Sequence, residues 1–515
     1  MRKVFAAFLL ISLIFIFFCN IDNNSEVEIS ENGCPKLAMW WPDVWGQSVE
    51  QLKRYDYIGF GEWDYEEIDK IKTIKQMNPS QIQFMNFTIT ETCWEWWEDD
   101  DCKIENIDKV PAEWFLTQAG TYLSQDINDT QTRIPVEKLY DKNNNPLFEN
   151  EDTVVCEYES MRVKDIDYAN KELIVERGFV RPASSHLKGT RIAAHITFWP
   201  ETWVMNMSTM CPNVDVGDGN GKQNWVEFAI NNYKLQYEDQ WDGYIVDRIE
   251  NEESWLTEGW ARTIDPDCSN NLIDDYSQFD SKWYEGCKSL LEYLRNRFEE
   301  KYIVSNSFGY YYQYLNGTIF EGCPTNWSDE EPESYEDWSY YVLGEHGYIN
   351  VSKSGYSPNF SLVETYEIEE YMEWENNPFN DPDFEPNYQR MRYGLTTALL
   401  GDGYFSYEIN TNGHGSLGLM WFDEYDNAGE KRGYLGLPLK DAEKVLQAGD
   451  GWVWQREYEG GLVICNPTNR EVTINLDRTY YLIKGNQVPE VNTGEAVNQI
   501  TLKPRDGRIL LKTGN

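Results

Sequence analysis

From residue 36 onward, short runs rich in β-branched and aromatic residues alternate with stretches whose apolar positions recur every three or four residues. The runs at 36–41, 57–63, 81–86, 203–208, 243–249, 302–307, 317–322 and 361–366 have strand character, bounded by Gly, Asn, Asp and Pro. Between them, 65–77, 225–240 and 281–301 carry helical spacing. In the last of these, Trp283, Cys287, Leu290, Leu291, Leu294 and Phe298 fall on one face. Eight strands in that alternation predict an α/β fold, a (β/α)8 or TIM barrel. An open doubly wound sheet is the rival, but no Gly-rich phosphate loop follows the first strand. A helix at 388–400 and a further strand-like run at 403–409 come after the eighth run, and the latter is an alternative strand for closing the barrel.

Two regions break the alternation. Residues 134–198 hold β-rich pieces at 153–161, 172–180 and 191–198 with no helical partner, which predicts a strand-rich insertion between the third and fourth units. From about 449, short strands at 452–458, 461–466, 471–477, 479–483 and 508–512 are separated by turn residues, the pattern of a C-terminal antiparallel β-sandwich. The predicted organisation is therefore 1–19 leader, 20–33 linker, 34–447 barrel with 134–198 inserted, and 448–515 sandwich.

The leader is predicted from Arg2-Lys3 followed by an apolar run to Phe18, shorter than a spanning helix needs. It reads as a secretory signal or, because Cys19 follows, a lipoprotein signal; an uncleaved N-terminal anchor is the alternative. Each places the body of the protein outside the cytoplasm, secreted or on the cell surface, with membrane contact only through that anchor or lipid. The chain has ten cysteines, which suits an oxidising compartment. Cys93 with Cys102, and Cys268 with Cys287, are candidate pairs, though spacing alone does not fix pairing.

Charge narrows the partners. The sequence has 44 Lys and Arg against 88 Asp and Glu, a net charge of −44. Such a field repels phosphate backbones, so nucleic acid is not expected as a partner. Aromatic residues make up 15% of the chain, including 21 Trp and 34 Tyr. Many must be core, but flat aromatic faces also lie well against the C–H face of a pyranose ring.

Barrel enzymes place their chemistry at the C-terminal ends of strands, so the last residues of each run are the candidates. Gly243-Tyr244-Ile245-Val246 delivers Asp247, with Arg248 beside it, and Gly317-Thr318-Ile319-Phe320 delivers Glu321. Two carboxylates on nearby strands can flank a glycosidic bond, one at the anomeric carbon and one protonating the leaving oxygen. Asp247 is expected as nucleophile or base and Glu321 as general acid, with the roles exchangeable. Glu62, Trp63, Glu364 and Glu408 are candidates for sugar contacts or for tuning the pair. Asn86, Asn206 and Asn306 sit at strand ends and are candidates for bonding hydroxyls, as is Arg248; each strand-end polar residue has a plainer reading as a strand terminator, an ion pair or a helix cap. His195 lies in an apolar run, where a buried histidine is the commoner outcome and a substrate contact the alternative.

Taken together, Tyr57-Ile58-Gly59-Phe60, Glu176-Arg177-Gly178-Phe179 leading to His195, Asp242-Gly243-Tyr244-Ile245-Val246-Asp247, Asn316-Gly317-Thr318-Ile319-Phe320-Glu321-Gly322 and Asp402-Gly403-Tyr404-Phe405-Ser406-Tyr407-Glu408 resemble the largely uncharacterised TIM-barrel glycoside hydrolases with a C-terminal β-sandwich. The likeness spans roughly residues 36 to 512. It implies the barrel, the glycosidase class and a strand-end Asp/Glu pair, carried here onto Asp247 and Glu321, and it supplies no particular sugar.

No cofactor is required by that chemistry. A structural Ca²⁺ is the one ion the spacing suggests: Asp265, Asp267, Ser269, Asp274 and Asp275 offer oxygen ligands in a single loop. A second acidic loop, Asp215 to Gly221, resembles an EF-hand loop but has Val216 at the first ligand position. Zincin, P-loop and G-x-S-x-G motifs are absent, and the four histidines are scattered. The expected activity is O-glycosyl hydrolysis of an extracellular polysaccharide or oligosaccharide; the alternative is a non-catalytic carbohydrate-binding surface protein on the same scaffold.

Overall fold

The computed structural model describes residues 33–61, 64–93, 107–198, 201–233, 238–273, 275–324, 334–367, 377–409 and 418–514. Eight parallel strands form one sheet: β1 (Ala38–Trp40), β2 (Tyr57–Phe60), β3 (Ile82–Phe87), β4 (Gly243–Val246), β5 (Tyr302–Asn306), β6 (Thr318–Phe320), β7 (Leu362–Tyr366) and β8 (Tyr404–Glu408), neighbours in that order. Leu37 bridges Phe405 in parallel, and the Phe405 N–H donates to the Lys36 carbonyl at 3.0 Å, so the sheet closes on itself as a barrel.

The strand count needs one correction. The run at 203–208 is not a barrel strand: Thr202–Val204 pairs antiparallel with Glu91–Cys93 in a small ribbon that follows β3. The run at 403–409 takes the vacant place and closes the barrel. Asp247 therefore ends the fourth strand and Glu321 follows the sixth. Periodicity could not separate these cases, because both runs are short and apolar and only pairing distinguishes them.

Outward-facing residues of the strands, among them Phe60, Met85, Phe87, Val246, Ile303, Val363 and Phe405, join the main hydrophobic core. Helices α1 (Ile68–Met77), α2 (Trp225–Asn232), α3 (Ser277–Arg297), α4 (Tyr335–Leu343) and α5 (Tyr388–Leu400) contribute to that core. The α3 residues Trp283, Cys287, Leu290, Leu291 and Leu294 are all buried, as their helical spacing requires. Capping boxes start α2 (Asn224 with Glu227) and α4 (Ser334 with Asp337).

Between β3 and β4 the chain builds a six-stranded antiparallel sheet, from Thr121–Tyr122 to Arg191–Ala194, over its own core of Leu123, Ile134, Val154, Met161, Val163 and Leu173. After the barrel come β9 (Glu443–Ala448), β10 (Gly451–Glu457), β11 (Gly461–Asn466), β12 (Val472–Leu482), β13 (Ala496–Leu502) and β14 (Asp506–Leu511). They form a single antiparallel sheet in the order β9-β10-β11-β14-β12-β13. The sheet folds over itself: Val453, Leu462, Ile464 and Leu510 share a core with Val472, Ile474 and Ile500. Its other face, with Val463, Cys465, Ile509 and Leu511, joins the main core.

Cys268 and Cys287 are both free thiols, so that candidate disulfide is not formed; Cys287 lies inside α3's apolar face. The expected partner of Cys93, Cys102, lies outside the described residues. Among the described residues no helix is long and apolar enough to cross a membrane.

Candidate active site at the barrel mouth

A strand shows alternate residues to opposite faces, and this period places the site. The inward set of the lower barrel is Ala38, Trp40, Tyr57, Phe84, Ile245, Val304, Ile319 and Leu362, one apolar cluster sealed from water. Two residues further along each strand, the same face carries Asn86 after Phe84, Asp247 after Ile245, Asn306 after Val304, Glu321 after Ile319, Glu364 after Leu362 and Ser406 after Tyr404. Tyr366 and Glu408 come next on β7 and β8. The interior thus changes from hydrocarbon to carboxyl, amide and hydroxyl within one step of the pleat. On β2 the inward position at the join is Gly59, where an added Cβ would lie 2.5 Å from Ile245 Cδ1 and 2.9 Å from the Trp40 ring.

Asn306 ties the two proposed catalytic acids together. Its Nδ2 donates to Glu321 Oε2 at 2.7 Å and to Asp247 Oδ1 at 3.3 Å. Those two oxygens can be no further apart than the sum of the two bonds, about 6 Å. Asp247 and Glu321 are partly exposed, whereas Asn86, Glu364, Ser406 and Glu408 are buried. Substrate coming from the mouth therefore meets the first two.

The strand ends are held by neighbours. The Asp247 N–H donates to the Phe87 carbonyl at 3.0 Å and the Ile249 N–H to the Asn306 carbonyl at 3.1 Å, so β4 is pinned on both sides. Between these bonds Arg248 adopts a left-handed conformation, φ 54°. Trp41 (φ 50°) and Phe308 (φ 44°) do the same just beyond β1 and β5. A non-glycine residue in this region costs on the order of 1–2 kcal/mol, and such outliers concentrate where a chain must aim a side chain.

The turn at Arg248 gives its N–H to Asp247 Oδ1 at 2.8 Å and sends the guanidinium away from the mouth. There it pairs with Glu91 at 2.9 Å and with Glu253, under the Phe198 ring at 4.5 Å. Arg248 is buried, so the expected sugar contact is corrected: its charge is spent inside the protein. Burial outweighs that cation for the acids around it, raising Glu253 to about 8 and Glu250 to about 7.

On the opposite side of the pair, the Tyr366 hydroxyl lies 2.8 Å from Glu321 Oε1 and 3.2 Å from Glu364 Oε2. Asn86 Oδ1 accepts from Trp40 Nε1 at 3.1 Å. Burial, reinforced by the charge of Glu364, pushes Glu408 well above the ordinary carboxyl range.

Two further expected contacts are corrected. His195 is buried, stacked on Trp203 at 4.2 Å and edge-on to Phe115 at 4.6 Å, and burial keeps its ring neutral. Asn206, on the run that is not a barrel strand, is fully buried; its Nδ2 donates to the Pro266 carbonyl and its Oδ1 accepts from Ser208. Glu62, Trp63 and Asp274 lie outside the described residues.

The candidate calcium loop is closed by its own bonds. Asp265 is buried in an ion pair with Arg191 at 2.7 Å and accepts the Asn270 N–H, Asp267 and Ser269 accept backbone N–H groups from Ser269 and Asn271, and Asp275 accepts the Ser277 N–H at the start of α3. Among the described residues no three His, Cys, Asp or Glu side chains are grouped to hold a metal ion.

Tyr366 is the residue that sequence reasoning missed. Its signal was available: it is two residues beyond Glu364 on the same strand face.

Eight parallel strands with acids gathered at their carboxyl ends are how (β/α)8 barrels present chemistry. Within that class, residues 184–462 match the model of hypothetical glycosyl hydrolase family 15, more than half of the chain, and the protein belongs to that family. A search of curated proteins returned no match. Among solved structures, the glycoside hydrolase domain of PelA from Pseudomonas aeruginosa is similar over 75% of this chain and 98% of its own, with 9% identity and a TM-score of 0.36. A noncanonic maltogenic alpha-amylase, AmyB from Thermotoga neapolitana, covers 92% of this chain and 90% of its own at 10% identity and TM-score 0.35. A trehalulose synthase, MutB, covers 92% and 99% at 8% identity and TM-score 0.45.

Proposed function

We propose that the protein hydrolyses O-glycosidic bonds of an extracellular polysaccharide or oligosaccharide, with Asp247 as nucleophile and Glu321 as general acid. The observation that carries this reading is the Asn306 amide donating to both carboxylates across the mouth. A separation of no more than about 6 Å suits a retaining enzyme, whose acids stand about 5–5.5 Å apart; inverting enzymes leave about 6.5–9.5 Å for a water. The division of roles follows from surroundings. Asp247 accepts the Arg248 N–H and lies beside its guanidinium, which favours the ionised form needed for attack on the anomeric carbon. Glu321 is then the group that delivers a proton to the leaving oxygen and, in the second half-reaction, takes one from water. Asn306 holds both acids in line and can pass a hydrogen bond to the developing charge. With a net charge of −44, the chain favours a neutral sugar chain over an anionic one. Export rests on the basic and apolar N-terminal segment, residues 1–19, which lies outside the described residues.

The test is a panel of polysaccharides assayed with wild type, Asp247→Asn and Glu321→Gln. Wild type is expected to release sugar from at least one polymer, and each variant to lose about 10³-fold or more in kcat while remaining folded. Azide should rescue Asp247→Ala, giving a glycosyl azide of inverted anomeric configuration. A folded wild type that binds a polymer but releases nothing from any of them leaves the carbohydrate-binding alternative standing instead.

A further inference from the structure

Behind Glu321 lie two more carboxyl groups that the reaction itself does not touch. Glu364 is fully buried and Glu408 is 1% exposed. They stand on paired strands, with Glu364 beside Ser406 and Tyr366 beside Glu408 in the β7–β8 register. Ser406 Oγ donates to Glu408 Oε1, while Glu408 Oε2 is buried with no hydrogen-bond partner. Two carboxylates sealed together from water cannot both stay ionised, so this pair holds a proton through neutral pH. The member with the orphaned oxygen, Glu408, is the one on which burial and the neighbouring charge favour it.

Tyr366 connects this pair to the mouth. A phenol has one proton to donate, yet its oxygen is within bonding distance of both Glu321 and Glu364. If both carboxyls were ionised, one contact would set lone pair against lone pair. The arrangement is satisfied when Tyr366 donates to an ionised Glu364 and a protonated Glu321 donates to Tyr366. The described titratable groups facing this corner are Tyr57 from β2, Asp247 from β4, Tyr366 from β7 and Glu408 from β8. The nearest cation on β4, Arg248, is engaged by Glu91 and Glu253.

We propose that Glu364 carries the one negative charge of the buried pair and that Tyr366 passes its influence to Glu321, which makes Glu364 the positioning residue that keeps the catalytic proton on Glu321. The inference rests on the reading of Glu321 as general acid. It explains why acids are stacked two deep on β6, β7 and β8, whereas the β4 acid stands beside a guanidinium.

The test compares Glu364→Gln, Tyr366→Phe and Glu408→Gln with wild type by two readouts. The first is the alkaline limb of kcat/KM, which reports the acid. The second is the titration of Glu321 itself, followed by carbon NMR with labelled glutamate and assigned by its loss in Glu321→Gln. Glu364→Gln is expected to move both downward by about one pH unit or more, Tyr366→Phe to move them the same way, and Glu408→Gln to move them far less. An unmoved titration in folded Glu364→Gln overturns the proposal, as does Glu408→Gln matching the shift of Glu364→Gln. Because NMR needs no turnover, a wild type that hydrolyses nothing yet shows the shift refutes the enzyme reading and spares the relay. Hydrolysis with an unmoved titration does the reverse.

Discussion

The two ends of the barrel interior are built on the same strands, with the same pleat, one step apart, and they do opposite things. At the lower end Trp40, Tyr57, Phe84, Ile245, Val304, Ile319 and Leu362 interlock without a polar function, and Tyr57 packs edge-on against Phe84 at 5.3 Å and Tyr404 at 4.8 Å. At the mouth Asn86, Asp247, Asn306, Glu321, Glu364 and Glu408 replace hydrocarbon with groups that are costly to enclose. The lower layer supplies stability that the upper layer spends. The difference teaches that site and core are not separate regions here but successive positions of a two-residue repeat.

That contrast can be broken from either side. Phe84→Ala, in the lower layer, should cost about 3–5 kcal/mol by denaturant unfolding while the specific activity of the folded fraction is retained. Asn306→Ala, in the upper layer, should do the converse: a loss of about 10²–10³-fold in kcat, with a much smaller change in the unfolding midpoint. Gly59→Ala probes the join. Its methyl would press on Ile245 and Trp40, and a loss of about 1–3 kcal/mol is expected on chemical denaturation. The smallest effect is on pH. Glu250 and Glu253 have folded values of about 7 and about 8 against an ordinary 4.5, so the unfolded chain releases their protons first as pH rises. Their contribution is fully present below 4.5 and is lost between there and about 8, so the melting temperature should fall across that window. A Tm that rises from pH 5 to 8 would mean these acids are ionised in the folded protein.

Much of this layering could be read from the chain because strand ends in a barrel obey a simple rule. Asp247, Glu321, Asn86, Asn306, Glu364 and Glu408 follow apolar residues at a spacing of two or four, and the structure sets them in one layer. The failures have one cause. Asn206 and His195 also end short apolar runs, but those runs pair antiparallel with, or bridge to, segments outside the barrel, and pairing partners leave no mark in a local pattern. Arg248 was misread for a different reason: a left-handed residue reverses the expected direction of its side chain, and nothing in the sequence announces a positive φ at an arginine. The run at 403–409 was ambiguous until its bond to Lys36 closed the ring.

The seam of that ring has a consequence for how the molecule comes apart. The chain just before β1 is clasped from the far side of the barrel, since Cys34 bridges Gly436 and the Leu435 N–H donates to the Cys34 carbonyl at 3.0 Å. Helix α5 lies between barrel and C-terminal sheet, with Arg392 paired to Asp506 at 3.1 Å and Thr397 to Cys465 at 3.5 Å, all buried. The barrel cannot melt and leave the terminal sheet intact, nor the sheet peel away without unlacing the first strand. Calorimetry should accordingly record a single endotherm for both, and a chain shortened at residue 442 should yield insoluble protein rather than a smaller enzyme.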